Sequence, residues 1–308
     1  MIEKYYDGAI EQVAAGLGTV EKNHLLVRYS GQFSVENLND TKQLEKNEDI
    51  FVQVHEFETG EITCAYEPYL TMICDGFRRY MTGTFEEFME TCDVYYLHRP
   101  VLLGYFNQDN TGREEIILLD EVAYEQERML AALERMLCAI ADRHPVLFVL
   151  NRFQLASKST MQLTARFLKC ENCNIGLVLG VSDVQAMPEF LVPDWEMLYE
   201  TLDDGSKIYH IGNSGRKKEE TIDDEKYVDY GSEKVYRKLQ NMVEFLDFDQ
   251  AAYYLETIER KIKFDNLLVD DAARFRMWLL FVKVSILRQD IPKAVSYTHL
   301  RAHETLSD

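Results

Sequence analysis

The chain has 308 residues, 46% of them hydrophobic, and a formal net charge of −20. That length fits two domains, and the apolar content is enough for packed cores, which excludes a disordered tail. So negative a surface repels nucleic-acid phosphates and anionic lipid, so no direct contact of this segment with DNA or membrane is expected.

No stretch reaches the ~18 consecutive apolar residues of a bilayer span. Residues 1–18 are acidic and mixed, without the basic and apolar regions of a secretory signal. The expectation is a soluble, cytoplasmic chain. The first strand signal is His24-Leu-Leu-Val-Arg-Tyr29, an apolar run ending at Ser30-Gly31. Ser34 caps an expected helix running to about Glu45, and Ile50–Val54 reads as a second strand. Together they form a β-α-β unit, which implies parallel pairing through a helical crossover. Tyr66–Tyr80 and Phe85–Cys92 read as helices, with Pro68 tolerated in the first turn of the former. The apolar runs at 100–106 and 115–119 have no settled assignment.

Glu121–Arg143 is expected as a long helix, because Met129, Leu130, Leu133, Met136, Leu137 and Ile140 recur on one face. Pro145–Leu150 and Ile175–Val181 are apolar throughout, which marks strands buried on both sides. A helix at Ser159–Cys170 lies between them, and Ile208–Ile211 is a candidate last strand. Alternating buried strands and amphipathic helices predict a three-layer α/β domain with a parallel sheet over residues 1–212. Residues 213–230 are almost devoid of apolar side chains and read as a charged linker.

From Gly231 the pattern is helical: Glu233–Phe245, Phe248–Phe264, Asp271–Leu287 and a fourth helix from Ile291. Leu246-Asp-Phe-Asp-Gln-Ala251 is echoed by Arg288-Gln-Asp-Ile-Pro-Lys-Ala294. Helix pairs with a small residue just inside the second helix resemble tetratricopeptide repeats, at a longer spacing than the usual ~34 residues. Residues 231–295 are therefore expected to stack as tetratricopeptide-like repeats, with Phe248, Ala251, Ala252 and Leu255 facing Phe275, Trp278, Leu279 and Val282. A generic helical bundle is the alternative. An apolar flank is expected around Val282–Leu287, where further repeats would pack. The final segment, Ser296-Tyr-Thr-His-Leu-Arg-Ala-His-Glu-Thr305, resembles a translated sequencing adapter, so 296–308 reads as non-native and the array as truncated.

Six cysteines stand at 64, 74, 92, 138, 170 and 173 and read as reduced thiols, mostly core. Cys170 and Cys173 form a single C-x-x-C at a helix end. A structural zinc site takes four ligands, and no second pair follows nearby, so no metal site is expected. His55-Glu56 at a strand end is an acid–base pair in form only, and no G-x-S-x-G, H-E-x-x-H or G-x-G-x-x-G is present.

One region carries a family resemblance. Residues 143–160, with the strand 145–150 and a loop holding Phe153 and Ala156, are followed by a helix and by Asn174–Asp183. This order resembles the Walker B and sensor strands of AAA-type and STAND-type P-loop ATPases, which couple a nucleotide switch to helical repeats. The long helix before it and Tyr66-Glu-Pro-Tyr69 fit the same pattern. The resemblance implies a P-loop NTPase-like fold, with the phosphate loop at Ser30, Gly31, Gln32, Phe33 and Ser34 and the Walker B acids at Asn151 and Arg152. The chemistry is missing there. A phosphate loop needs glycines, a Lys for the β/γ charge and a Ser/Thr for Mg²⁺; this turn has one Gly and no Lys. Asn151 cannot replace a carboxylate for a hard cation, and Arg152 stands where an acid would orient water. The third strand ends at Asp183, where the family often places an Arg. The expectation is a non-catalytic, NTPase-like signalling module of a larger protein. It needs no cofactor and acts through protein partners held by its repeats, with an output domain beyond this segment. Two alternatives stay open: a divergent switch that still binds ATP and Mg²⁺, and a scaffold without a switch.

Overall fold

In a computed structural model, the residues described are 2–19, 24–29, 49–58, 61–108, 122–170, 173–182, 187–203, 207–211, 230–264 and 269–295. The expected helix after Ser34, the run at 115–119, the linker 213–229, Asp183 and the tail 296–308 fall outside them. The chain divides into two compact units: Met1–Val94 with Leu130–Lys226, and Tyr95–Met129 with Tyr227–Asp308. The α/β part is thus built from two separated stretches of chain, where the sequence suggested the continuous span 1–212.

In the first unit, β1 (Leu25–Tyr29), β2 (Phe51–Glu56), β3 (Val146–Asn151), β4 (Ile175–Ser182) and β5 (Lys207–Ile211) form one sheet in the order β2-β3-β4-β1-β5. Every adjacent pair is parallel. The expected strands therefore share one parallel sheet, and the chain is of the α/β class. β3 and β4 are buried along their whole length, as an apolar run covered on both faces requires.

Alternate residues of β3 serve the two faces. Leu147 and Val149 join Val178, Leu25 and Val27 in a cluster completed by Ala9, Ile10 and Val13 of α1 (Ile2–Gly16). Phe148 points the other way and meets the Tyr69 ring, 4.7 Å away, on α2 (Tyr69–Tyr80). Tyr69 in turn lies 5.4 Å from Phe167 of α6 (Lys158–Lys169). The shorter α3 (Phe85–Thr91) opens on a capping box between Thr84 and Glu87. α1 approaches β4 at Gly176, where an added Cβ would stand 2.5 Å from Val13; only glycine allows that closeness. A further helix, α7 (Val192–Asp203), precedes β5.

The second unit holds α4 (Arg99–Asn107) and the first residues of α5 (Val122–Ala141), with α8 (Glu233–Glu244), α9 (Phe248–Phe264) and α10 (Asp271–Leu287). Inside it the His98 Nε2 lies 3.2 Å from Glu125 Oε2, both side chains fully buried, while Arg128 donates to the other Glu125 oxygen at 2.7 Å. The apolar run 100–106 is helical, as part of α4.

The repeated sequence element has a repeated structure. Leu246 and Gln289 both adopt left-handed backbone, φ 66° and 60°. The following amides of Asp247 and Asp290 donate back to Met242 and Ser285 carbonyls at 2.8 and 2.9 Å, and each Asp carbonyl then accepts from Ala251 or Ala294 at 3.0 Å. The same helix-stop and helix-start thus occur 43 positions apart. The expected facing residues on α10 need correction. Its buried side is Ala273, Met277, Leu280, Phe281, Val284 and Ser285, whereas Phe275 and Leu279 are 40% and 47% exposed. Helical period places 275, 279 and 286 on the opposite side from 277, 281 and 284. Ile286 lies in the expected apolar flank and is 38% exposed.

Candidate functional site

The strand order takes the chain from β1 to the β2 edge and from β4 to the β5 edge, in opposite senses. The carboxyl ends of β1 and β4, where the senses reverse, form a topological switch point, the place where open parallel sheets bind ligands. Tyr29 and Ser182 are partners in register there, and β3 brings Asn151 to the same edge.

Asn151 is fully buried, and its Oδ1 accepts a 2.7 Å hydrogen bond from the Tyr29 hydroxyl. β4 lies between the two strands, and it carries Gly180 opposite Val27. Burial is the main cause that pushes the Tyr29 phenol up to about 12, with the Arg152 charge and the Asn151 hydrogen bond pulling the other way. Arg152 stands just past the strand with φ 53° and pairs with Glu56, at the end of β2, at 3.4 Å. Glu56 and Asn151 are themselves partners in register. Next along the chain, the Gln154 carboxamide donates to Ser182 O at 3.2 Å and accepts from Ser182 N at 3.3 Å, so a side chain closes the backbone of β4.

A ladder of hydroxyls flanks this edge at the start of α6. Ser157 caps the helix by accepting from Thr160 N. Ser159 Oγ accepts from Tyr66 N at 3.1 Å, Thr160 donates to Glu67 O at 2.9 Å, and Tyr69 and Thr164 share a hydrogen bond of 2.5 Å. The ladder ties the 66–69 segment to α6 through buried polar groups that satisfy one another.

Of the residues the resemblance assigned, Asn151 and Arg152 sit at the carboxyl edge beside the end of β1. Ser30, Gly31, Gln32, Phe33 and Ser34 lie outside the described residues. His55 and Glu56 are adjacent on β2, but His55 packs edge-on against Phe57, 4.5 Å between centroids, while Glu56 turns to Arg152. The edge can hold polar contacts, but its described groups are engaged with each other: an amide with a phenol, a guanidinium with a carboxylate.

The other chemistry-bearing cluster lies elsewhere in the first unit. Cys170 ends α6, and Cys173 precedes β4. Cys138 of α5 joins them, and the three sulfurs lie within 4.8 Å of one another. Cys173 Sγ donates to Cys170 O at 3.7 Å. The Cys138 thiol is pushed up, first by its hydrogen bond with Cys173 and then by burial. Cys138 was the residue missed from sequence: it stands 32 positions before the C-x-x-C, inside a helix whose periodicity accounts for it as packing.

No family model matches the chain, and no curated protein is significantly similar to it. Among the described residues no helix is long and apolar enough to cross a membrane.

Proposed function

We propose that the chain is a non-catalytic, NTPase-like regulatory module that signals through protein contacts. The observation that carries this reading is the state of the Asn151 position. A magnesium-binding carboxylate at a strand end must keep its oxygens turned toward metal and water. Here the group is a neutral amide, wholly buried, with its oxygen taken by Tyr29. The neighbouring Arg152 is balanced by Glu56. Sequence supports the same reading at residues 30–34, where one glycine and no lysine stand in for a phosphate loop.

On this reading the sheet is kept for its shape, and the helical segment 231–295 supplies the partner surface in the manner of tetratricopeptide-like repeats. The repeated turn at Asp247 and Asp290 supports repetition. A cytoplasmic setting follows from the reading rather than from any localising feature.

The test is isothermal titration of the purified chain with ATP and Mg²⁺. Affinity weaker than about millimolar is expected, because the charged ligands are absent. Micromolar, magnesium-dependent binding would overturn the proposal in favour of an active divergent switch.

A further inference from the structure

We propose that Cys138, Cys170 and Cys173 form a binding site for a thiophilic metal ion of the zinc class. Three sulfurs within 4.8 Å of one another, drawn from a helix, a helix end and a strand approach, are spaced as ligands on a single ion would be. Zinc–thiolate bonds of about 2.3 Å place tetrahedral sulfurs roughly 3.8 Å apart, within reach of small rotamer changes. Soft thiolates select zinc and copper(I) over hard cations. With three protein sulfurs among the described residues, solvent or an exogenous donor supplies the fourth position of a tetrahedral ion. Cys138 and Cys170 are half-buried, so an ion has a route in, while Cys173 is buried at 2% exposure and anchors the site.

Two other readings of the cluster are weaker. A reactive redox pair places its attacking cysteine at a helix N-terminus, where the dipole favours thiolate. Cys170 sits at the opposite end, as the C-cap of α6. Simple core packing accounts for one buried cysteine, as it does for Cys74 or Cys92. It does not call for three sulfurs from two separated stretches meeting at one point. The bound ion would pin the end of α6 and the approach to β4 to the last turn of α5, and so fix the register with which β4 enters the sheet. This inference is independent of whether the sheet edge binds nucleotide.

The experiment uses the full chain, reduced and stripped of metal, titrated anaerobically with Co²⁺ and then Zn²⁺. The expected result is one Co²⁺ per chain, intense sulfur-to-cobalt charge-transfer absorption, and displacement by one equivalent of Zn²⁺. Cys138→Ser, Cys170→Ser and Cys173→Ser should each weaken binding by about tenfold or more, since even outer-shell changes cost 10–100-fold. Cys64→Ser, outside the cluster, should not. For any variant that fails to fold, zinc protection of the unmutated chain gives the same answer. Alkylation mapped by mass spectrometry should spare 138, 170 and 173 while Cys64 stays reactive. No charge-transfer absorption, no selective protection, or equal loss with Cys64→Ser would overturn the proposal.

Discussion

Tyr29→Phe is the sharpest probe of the closed sheet edge. It removes one oxygen and leaves the ring in place, so the carbon packing of β1 against α1 is kept. What is lost is a 2.7 Å hydrogen bond between two buried groups. The net contribution of such a bond is about 1 kcal/mol, and leaving a buried amide oxygen short of a donor raises the cost to roughly 1–3 kcal/mol. At about 2–4 °C per kcal/mol for a unit of this size, the midpoint should fall by several degrees. Trp195 lies in the first unit and Trp278 in the second. Thermal melts followed by fluorescence in a Trp278→Phe background therefore read the first unit alone. Asn151→Ala should cost about 2–3 kcal/mol, because it removes the amide acceptor of the phenol and opens a small cavity. The double variant should be less destabilised than the sum by about 1 kcal/mol or more, the coupling of a contacting pair. Additive effects, or a Tyr29→Phe melt within a degree of the parent, would show that the hydroxyl does not hold Asn151 and would remove the basis for calling this edge closed.

Further outcomes follow from the same geometry. Asn151→Asp alone should yield no ATP hydrolysis in a coupled phosphate-release assay, because residues 30–34 include no lysine; steady turnover would refute this. Gly176→Ala should destabilise by about 1–3 kcal/mol through overpacking against Val13, and Val13→Ala in the same chain should recover part of that in urea titrations. Ser157→Ala should cost roughly 1 kcal/mol by uncapping α6, read from the same titrations. The pH dependence should lie on the alkaline side. Burial raises Cys92 to about 11 and Cys74 and Tyr29 to about 12. Below their ordinary values these groups are neutral in both states, and their contribution to stability is fully present. As pH rises from about 9 to 12 the unfolded chain ionises first, so stability should fall across that window; Tyr29→Phe should flatten its upper part, above pH 10.

The sheet was legible because burial on both faces leaves a run such as Val146–Leu150 with no polar position at all. The long helix α5 was legible from six apolar residues at helical spacing. Among the described helices, α1 and α7 escaped, and the run 100–106 within α4 had no settled assignment. Among the described side chains, α1 buries Ala9, Ile10 and Val13 among acids and glycines, and α7 carries Pro193 in its first turn and buries Leu198 and Leu202, four apart. Sparse stripes of that kind give little periodic signal. The rotation of α10 was misjudged because it is apolar nearly all round, so its sequence does not say which side is inside. At the candidate site, sequence could show that Asn151 and Arg152 lack the required charge. That Tyr29 and Glu56 answer them could not be read, since both partners come from strands far away in the chain. The cysteine trio escaped for the same reason.

β1 occupies an interior place in the sheet, yet it is synthesised well before both of its partners. Its neighbours on either side are β4 and β5. A ribosome adding 5–20 residues per second needs roughly 8–30 s after completing Tyr29 to finish β4. Throughout that interval an apolar strand of five residues has both hydrogen-bonding edges without their native partners. Its native pairing rests on contacts about 150 residues distant, the kind that form slowly and late. The emerging chain is therefore at its most adhesive before the first unit can close. The strong negative charge of the whole sequence, which keeps nascent chains apart, matters most during those seconds.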